Sequence, residues 1–233
     1  DLPARSGLGS SSSFVVGLLK IISEYKNLGY SKDTLAKKSI FFEKKILKEY
    51  VGIQDQISAS IGGFNKIDIK KNGTFKIKKL NLKKNKKNLN KNLVLVFTGI
   101  NRTASEIAGK YVSSLNKTKE SQMYEIINQV NEGEKLLNNG NFDDFGKLLN
   151  ESWLYKKSLS NIISNKKIDE LYKHFMLNGA LGGKLLGAGG GGFMVFYLPH
   201  SKQKKFIKEN KNIKIVPFNF TNEGSQLIFK ENE

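Results

Sequence analysis

The stretch Ser6–Phe14 reads SGLGSSSSF, and an apolar pattern with helical spacing follows it directly. That pattern predicts a helix over about Ser11–Tyr25, with one buried face: Val15, Leu18, Leu19 and Ile22. A helix N-terminus carries unpaired N–H groups and partial positive charge, and glycines before it let an anion approach the backbone. One helix cap needs one serine rather than four. The stretch Gly7–Ser13 therefore predicts a phosphate-binding loop, although it lacks the lysine of a Walker A motif.

Composition excludes several kinds of site. The 233 residues contain no cysteine and two histidines, so disulfides and thiolate metal sites are excluded, and a zinc site or a histidine-based triad has almost no ligands to draw on. The sequence has no run of eighteen apolar residues, which argues against a membrane span. We expect a cytoplasmic protein without a membrane partner.

The net charge of +18 admits two interpretations. Clustered basic residues would indicate nucleic-acid binding, whereas dispersed lysines indicate only a solvated surface. The lysines are spread along the chain, Arg5 and Arg102 are the two arginines, and the densest stretch, Lys78–Lys91, contains no aromatic residue. Because arginine is the usual bidentate reader of bases and phosphates, we favour the solvated surface and expect no nucleic-acid partner.

Helical and strand patterns alternate without a regular β-α-β order, which predicts an α+β fold. Asn72-Gly73 lies between two alternating segments and predicts a hairpin turn. The polar stretch Lys83–Asn92 predicts a linker, and the apolar run Leu93–Gly99 predicts a buried strand. Further helices are expected over Lys32–Tyr50, from Gln54 to the Gly62-Gly63 pair, between Asn101 and Asn178, and near Ser201–Asn210. Within the third of these ranges, we expect Met123, Ile126, Ile127 and Val130 to lie in the core. Further strands are expected over Phe193–Tyr197, Ile213–Phe218 and Gln226–Phe229.

A second glycine-rich loop, GAGGGGF, covers Gly187–Phe193. It satisfies G-x-G-x-x-G, but the segment after it has a strand pattern where a dinucleotide-binding fold requires a helix. A tight connection between strands would need fewer glycines than the five found among six positions. The loop therefore indicates backbone that packs closely against another group.

Two carboxylates stand out from their surroundings. Glu43 has Ile40, Ile46 and Leu47 as its i−3, i+3 and i+4 neighbours on a helix, inside the apolar stripe. A buried carboxylate must be paired or bound to a metal, so Glu43 is a candidate Mg²⁺ ligand. Asp55 has two open interpretations: an aspartate that stabilises the first turn of a helix, or a base that accepts a hydroxyl proton during phosphoryl transfer.

Three stretches together resemble the GHMP kinases, a family of small-molecule kinases that includes galactokinase, homoserine kinase and mevalonate kinase. The stretches are DLPARSGLGSSSSF at residues 1–14, GIQDQISASIGGFN at residues 52–65 and GGKLLGAGGGGFMVFY at residues 182–197. Within the family they are most similar to the bacterial D-glycero-D-manno-heptose 7-phosphate kinases and next to the fucokinase-type sugar kinases. The resemblance implies ATP and Mg²⁺ as cofactors and phosphorylation of the anomeric hydroxyl to a 1,7-bisphosphate, which would feed nucleotide-activated heptose into surface polysaccharide.

The resemblance also implies roles for individual residues. It implies that two sets bind the ATP phosphates: Gly7, Leu8, Gly9, Ser10, Ser11 and Ser12 in the first loop, and Gly189, Gly190 and Gly191 in the second. Ser11 and Glu43 would hold Mg²⁺, and Asp55 would act as the base or orient the acceptor hydroxyl. Arg102 follows a predicted strand and is a candidate for holding a substrate phosphate, with an ordinary cation at a helix start as the alternative.

The resemblance further implies two domains, an ATP-binding domain over residues 1–85 and a C-terminal ferredoxin-like α/β sandwich over residues 86–233. The family has another motif nearer its N-terminus, with sugar-binding residues and the first strands, so we expect the N-terminal domain to be incomplete here. Three alternatives to the heptose kinase remain: a kinase for fucose or another hexose, an inactive remnant of a truncated gene, and a basic nucleic-acid-binding protein. The oligomeric state stays open.

Overall fold

A computed structural model of the chain describes residues 7–70, 72–82, 85–101, 109 and 119–229. It divides into two compact units. The first unit comprises Gly9–Leu80 and Phe220–Glu233, and the second comprises Asp1–Leu8 and Asn81–Asn219. Both units contain helices and strands without regular alternation, which confirms the α+β class. The domain limits 1–85 and 86–233 stay a prediction.

The first unit packs three helices and a π-helical turn beside a two-stranded hairpin: α1 Ser10–Tyr25, α2 Lys32–Phe41, the π turn Phe42–Ile46, α3 Gln54–Ile61, β1 Asn65–Ile69 and β2 Phe75–Lys79. One buried apolar cluster of this unit contains Ala36, Ile53, Ile57 and Ile61. Ser31 starts α2 by accepting a hydrogen bond from the Thr34 N–H at 3.1 Å. The strands pair antiparallel with Ile67 opposite Ile77, and Gly73 adopts a φ of 81°, so the predicted hairpin is confirmed.

The end of the described chain returns to the first unit. The Phe220 ring meets the Phe64 ring edge-on at 4.6 Å, and the Ser225 N–H donates to the Ser60 carbonyl at 3.2 Å. Gly62 has a φ of +72°, and a Cβ there would lie 2.2 Å from the backbone of Glu223. Residues 226–229 form no strand, so the strand predicted over that range is wrong.

The second unit contains five helices and four strands among its described residues: α4 Asn85–Asn92, β3 Leu93–Phe97, α5 Glu120–Asn139, α6 Phe142–Leu159, α7 Lys166–Leu177, β4 Gly182–Leu185, β5 Phe193–Tyr197, α8 His200–Glu209 and β6 Ile215–Val216. The strands form an antiparallel sheet in the order β4-β5-β3-β6. The helices separate β3 from β4 and β5 from β6. This βαββαβ arrangement is the ferredoxin-like pattern expected for the second half of the chain.

Aromatic side chains fill the core of the second unit. The rings of Phe175 and Phe196 stack at 3.9 Å with an interplanar angle of 6°, and Phe206 meets Phe175 at 4.4 Å. Trp153 on α6 is buried in the same cluster. Among the described residues, no helix is both long and apolar enough to cross a bilayer.

Some predicted elements were wrong. The polar stretch 83–92 is not a linker throughout, because its residues Asn85–Asn92 form α4. Leu89, fully buried, anchors that helix, so tertiary packing overrides an asparagine- and lysine-rich composition. The helix predicted over residues 32–50 leaves the α-helical pattern after Phe41 and continues only to Ile46 as the π turn.

Two predicted apolar stripes are only partly buried. On α5, Ile126 packs against the core, whereas Met123, Ile127 and Val130 are exposed, so their predicted core position is wrong. On α1, the buried residues include Val15 and its neighbour Val16, whereas Leu18 and Ile22 of the predicted stripe are exposed. Spacing identifies an apolar helix face, but it does not determine how much of that face a neighbour covers.

The close approach of α6 to β4 predicts the effect of one substitution. A Cβ on Gly182 would lie 2.0 Å from the Gly146 carbonyl oxygen, which cannot rotate away. We expect Gly182→Ala to destabilise the second unit by about 1–3 kcal/mol, measured by urea unfolding followed through Trp153 fluorescence. Gly133→Ala is the matched control, since a Cβ on Gly133 of α5 would meet the Leu148 side chain of α6 at an ordinary distance of 3.4 Å. Inside a helix, alanine is also favoured over glycine by up to about 1 kcal/mol. Equal effects of the two substitutions would contradict this reading of the packing.

Candidate active site

The predicted phosphate-binding loop leads directly into α1. Gly7 and Gly9 have φ values of 80° and 71°, a region that favours glycine, and Gly9 is the N-cap residue of the helix. The first hydrogen bond of α1 runs from the Ser13 N–H to the Gly9 carbonyl at 2.9 Å. The N–H groups of the three preceding serines therefore lie in the first turn, where a helix has no carbonyl of its own to offer them. The serines do not cap the helix, because the capping position is a glycine without a side chain.

The hydroxyls of Ser11 and Ser12 both approach Glu43, although the two residues differ in burial. Ser10 and Ser11 are exposed, whereas Ser12 is buried. Ser12 Oγ lies 3.1 Å from Oε1 and 3.0 Å from Oε2 of Glu43, and the exposed Ser11 Oγ lies 3.4 Å from Oε1. The Ser12 hydroxyl is thus engaged within the protein, and its predicted part in phosphate binding falls to its backbone N–H.

Glu43 is the most unusual residue of the site. It lies in the π turn that follows α2 and is fully buried, with no exposed surface. The Gln56 side-chain amide on α3 donates a hydrogen bond to Oε2. A hydrogen bond to a charged group contributes about 1.5–3 kcal/mol. The predicted burial of Glu43 is confirmed, but Ile46 and Leu47 are exposed, so the apolar stripe predicted around it is wrong. The π turn replaces the α-helical i+3 and i+4 spacing on which that prediction rested, and π turns are often found at functional sites.

Asp55 lies in the first turn of α3 and is exposed. Its carboxyl group packs against the phosphate-loop glycine: a Cβ on Gly9 would lie 3.1 Å from Asp55 Cγ and 3.2 Å from Oδ2. Two features therefore favour glycine at position 9, its positive φ and the proximity of Asp55. The structure brings the candidate base beside the N-terminus of α1.

The second glycine loop belongs to the second unit, and backbone hydrogen bonds fix it to other segments of that unit. The Gly190 and Gly192 N–H groups donate to the carbonyls of Ile163 and Ile100 at 2.9 Å and 2.8 Å. A Cβ on Gly189 would lie 3.0 Å from Ile163, and one on Gly191 would lie 2.7 Å from Ile100. The glycines thus permit close packing within the unit, as the number of glycines indicated. The role of residues 189–191 towards ATP stays a prediction.

Two lysines lie at the start of this loop. Lys156 Nζ donates to the carbonyls of Leu185 and Gly187 at 3.0 Å and 2.6 Å, and it fixes the end of β4 to α6. Lys184 Nζ donates to Ser152 Oγ at 3.0 Å, and burial lowers the pKa of its ammonium group. Neither residue was identified from the sequence, because lysines are frequent along the whole chain and these two carry no distinguishing spacing.

Gln56 is the site residue that sequence reasoning missed and could have found. It occupies the buried face of α3 together with Ile57, Ser60 and Ile61. A polar side chain at an apolar helix position is the same signal that singled out Glu43. Arg102, the candidate for a substrate phosphate, lies outside the described residues.

The oxygen ligands at the start of α1 fit a hard cation. Mg²⁺ usually takes one or two carboxylates together with substrate phosphates and water, and Ser11 and Glu43 offer a hydroxyl and a carboxylate oxygen 3.4 Å apart. Within the described ranges, no group of three or more histidine, cysteine, aspartate or glutamate residues could hold a metal ion alone. The donor set therefore suits a cation that is held jointly by protein and nucleotide phosphates.

The chain is similar to known kinases over most of its length. The chain is 34% identical over 228 residues to D-glycero-alpha-D-manno-heptose 7-phosphate kinase of Campylobacter jejuni, an alignment that covers 96% of this chain and 67% of the relative. A crystal structure of a putative sugar kinase from Campylobacter jejuni is 33% identical, with a TM-score of 0.76, over 96% of this chain and 65% of that one.

A D-glycero-D-manno-heptose 1-phosphate kinase from Bacteroides thetaiotaomicron is 27% identical, with a TM-score of 0.76, over 96% of this chain and 64% of that one. The chain thus spans about two thirds of the length of these relatives. Residues 1–63 match the GHMP kinases N terminal domain, and residues 134–212 match the GHMP kinases C terminal domain. Together with the geometry at the start of α1, these similarities show that the chain belongs to the GHMP kinase family.

Proposed function

We propose that this chain forms part of a sugar-phosphate kinase that transfers the γ-phosphoryl group of ATP to the anomeric hydroxyl of a heptose 7-phosphate. The observation that carries the proposal is the contact between Asp55 and Gly9, because it joins a candidate base to the N-cap of a phosphate-binding helix. Catalysis would consist mainly of positioning and of charge stabilisation, as in other phosphoryl transfers.

The first loop would bind the ATP phosphates through the positive end of α1. Gly7, Leu8 and Gly9 would bring their backbone close to the phosphates, and the N–H groups of the serines at residues 10–12 would donate to them. The glycines at 189–191 would support the nucleotide from the second loop, and Arg102 would hold the phosphate of the acceptor. These roles follow the resemblance and are proposals.

Ser11 and Glu43 would hold Mg²⁺ against the phosphates. The ion, when bound, neutralises charge on the phosphate oxygens and orients them. Ser11 supports this role because it is an exposed residue at the helix start and its hydroxyl lies 3.4 Å from Oε1 of Glu43. Glu43 supports it because a carboxylate buried close to a phosphate site needs a cation or several donors to remain ionised.

Asp55 would receive the proton of the acceptor hydroxyl. The oxygen of that hydroxyl forms a bond to the γ-phosphorus, the bond between that phosphorus and the bridging oxygen of ADP breaks, and the proton passes to the Asp55 carboxylate. Exposure of Asp55 suits this task, since the carboxylate must reach a substrate that comes from solvent.

The heptose is supported by the names of two relatives, which agree on the sugar and differ on the phosphate: one is a heptose 7-phosphate kinase and the other a heptose 1-phosphate kinase. We propose the 7-phosphate as the acceptor and the 1,7-bisphosphate as the product. The product would supply nucleotide-activated heptose for surface polysaccharide, and we propose the cytoplasm as the compartment, where ATP is available.

Replacement of Asp55 tests the base. We expect Asp55→Asn to lower kcat by about 10²- to 10⁴-fold, since the amide cannot accept the proton, measured by ³¹P NMR of Mg-ATP and heptose 7-phosphate. Because the chain spans about two thirds of its relatives' length, the assay uses the longest reading frame that contains it. Asp68→Asn, an exposed aspartate on β1, is the control. A new phosphate ester signal only with heptose 1-phosphate, or an anomeric phosphate signal only with fucose or another hexose, would overturn the substrate, and no new sugar phosphate signal with any of them would overturn the kinase.

Replacement of Ser11 tests the metal ligands. We expect Ser11→Ala and Glu43→Gln each to raise the Mg²⁺ concentration for half-maximal velocity by at least about tenfold, because each removes an oxygen ligand or its charge. The measurement is a Mg²⁺ titration at saturating ATP. Ser58→Ala, an exposed serine of α3, should leave the titration unchanged. An unchanged requirement in Ser11→Ala would show that the Ser11 hydroxyl is not a ligand.

A further inference from the structure

We infer that Ser12 and Gln56 are positioning residues for the metal site, and that they hold the Glu43 carboxylate in the orientation in which it reaches a nucleotide-bound cation. This inference rests on the proposed function. It goes beyond the predicted ligands, Ser11 and Glu43, because neither Ser12 nor Gln56 would touch the metal. Their effect would pass through Glu43 alone.

Ser12 fixes the distance between the two proposed ligands. Its hydroxyl lies almost midway between the two Glu43 oxygens, at 3.1 Å from Oε1 and 3.0 Å from Oε2. A hydroxyl has one proton and can donate to one oxygen at a time, so Ser12 leaves the carboxylate with further lone pairs. Because Ser12 directly follows Ser11 in the first turn of α1, a bond from Ser12 to the carboxylate ties Glu43 to the same turn that carries Ser11.

Gln56 fixes the carboxylate from the opposite element. Its amide nitrogen donates to Oε2 of Glu43, while its own Oε1 is buried and has no hydrogen-bond partner in the described part of the chain. A buried amide oxygen without a partner is unfavourable. The bond from the amide nitrogen to Glu43 offsets this cost and keeps the Gln56 side chain in its buried position. A carboxylate has two oxygens with about four lone-pair sites, so the amide bond to Oε2 leaves acceptor positions for a cation.

The position of Gln56 couples the metal site to the candidate base. Gln56 directly follows Asp55 in the first turn of α3. One helix therefore carries the proposed proton acceptor and the donor that orients the proposed metal ligand. A shift of α3 would move both groups together, so their relative geometry is fixed by adjacent residues rather than by separate loops.

A simpler account holds that Ser12 and Gln56 only solvate a buried charge and thereby stabilise the fold. The two accounts differ in what they predict for metal binding. Solvation alone would alter stability and leave the metal dependence of nucleotide binding unchanged. Positioning would alter the metal dependence, because second-shell donors to metal ligands typically change metal affinity by 10- to 100-fold.

The test measures ADP binding by calorimetry in excess Mg²⁺ and in EDTA, on the full reading frame that contains this chain. The ratio of the two affinities reports the contribution of the metal. We expect Ser12→Ala and Gln56→Met each to lower this ratio by about tenfold. Matched controls are Ser58→Ala and Gln54→Met, which change the same residue types at exposed positions of α3 and should leave the ratio unchanged.

A double-mutant cycle tests whether the effect of Ser12 passes through Glu43. In a Glu43→Gln background, Ser12→Ala should lower the ratio no further, since the carboxylate it positions is gone. If Ser12→Ala does not fold, Ser12→Cys replaces the hydroxyl by a weak donor of similar size and carries the same expectation. Variants that lose stability but keep the wild-type ratio would overturn the positioning role. A wild-type protein that binds ADP neither with Mg²⁺ nor in EDTA would overturn the proposed function, and this inference with it.

Discussion

The fold of the first unit depends on Glu43, a carboxylate that is buried away from water. A buried carboxylate is tolerated only where donors or a cation replace its solvation, and Glu43 finds its donors at positions 31 residues before it and 13 residues after it, on two different helices. The start of α1, the π turn and the first turn of α3 must therefore meet at one point. Hydrophobic contact alone would not require so defined a meeting, because apolar side chains attract without direction.

The two glycine loops meet different physical requirements. In the first, positive φ at Gly9 and the adjacent Asp55 leave no room for a side chain, and the N–H groups that follow remain at a helix start, where an anion can use them. In the second, the N–H groups of Gly190 and Gly192 are bonded to carbonyls of their own unit. Similar composition thus places N–H groups at a helix start in one case and permits close backbone packing in the other, and only the element that follows each loop distinguishes them in the sequence.

Sequence patterns predicted what local chemistry determines. The start of α1, the Asn72-Gly73 hairpin and the burial of Glu43 each follow from turn preference or from a polar residue among apolar ones. Other features depend on tertiary contacts: α4 forms around the single buried Leu89, and the π turn re-aims Glu43 between two helices. The burial of Ser12 beside the exposed Ser11 was not predictable, since four successive serines are equivalent until a buried carboxylate bonds the two that lie nearest to it.

The roles proposed for the described residues concern one side of the reaction. Gly9 and Ser11 would act on the ATP phosphates, Glu43 on the cation and Asp55 on the proton of an acceptor hydroxyl. None of these tasks depends on which sugar or alcohol carries the hydroxyl. Relatives named for different phosphorylated heptoses can therefore share the same fold. Acceptor choice must arise from contacts other than those at the start of α1, because a helix N-terminus and a carboxylate recognise phosphate, metal and proton without reference to the rest of the substrate.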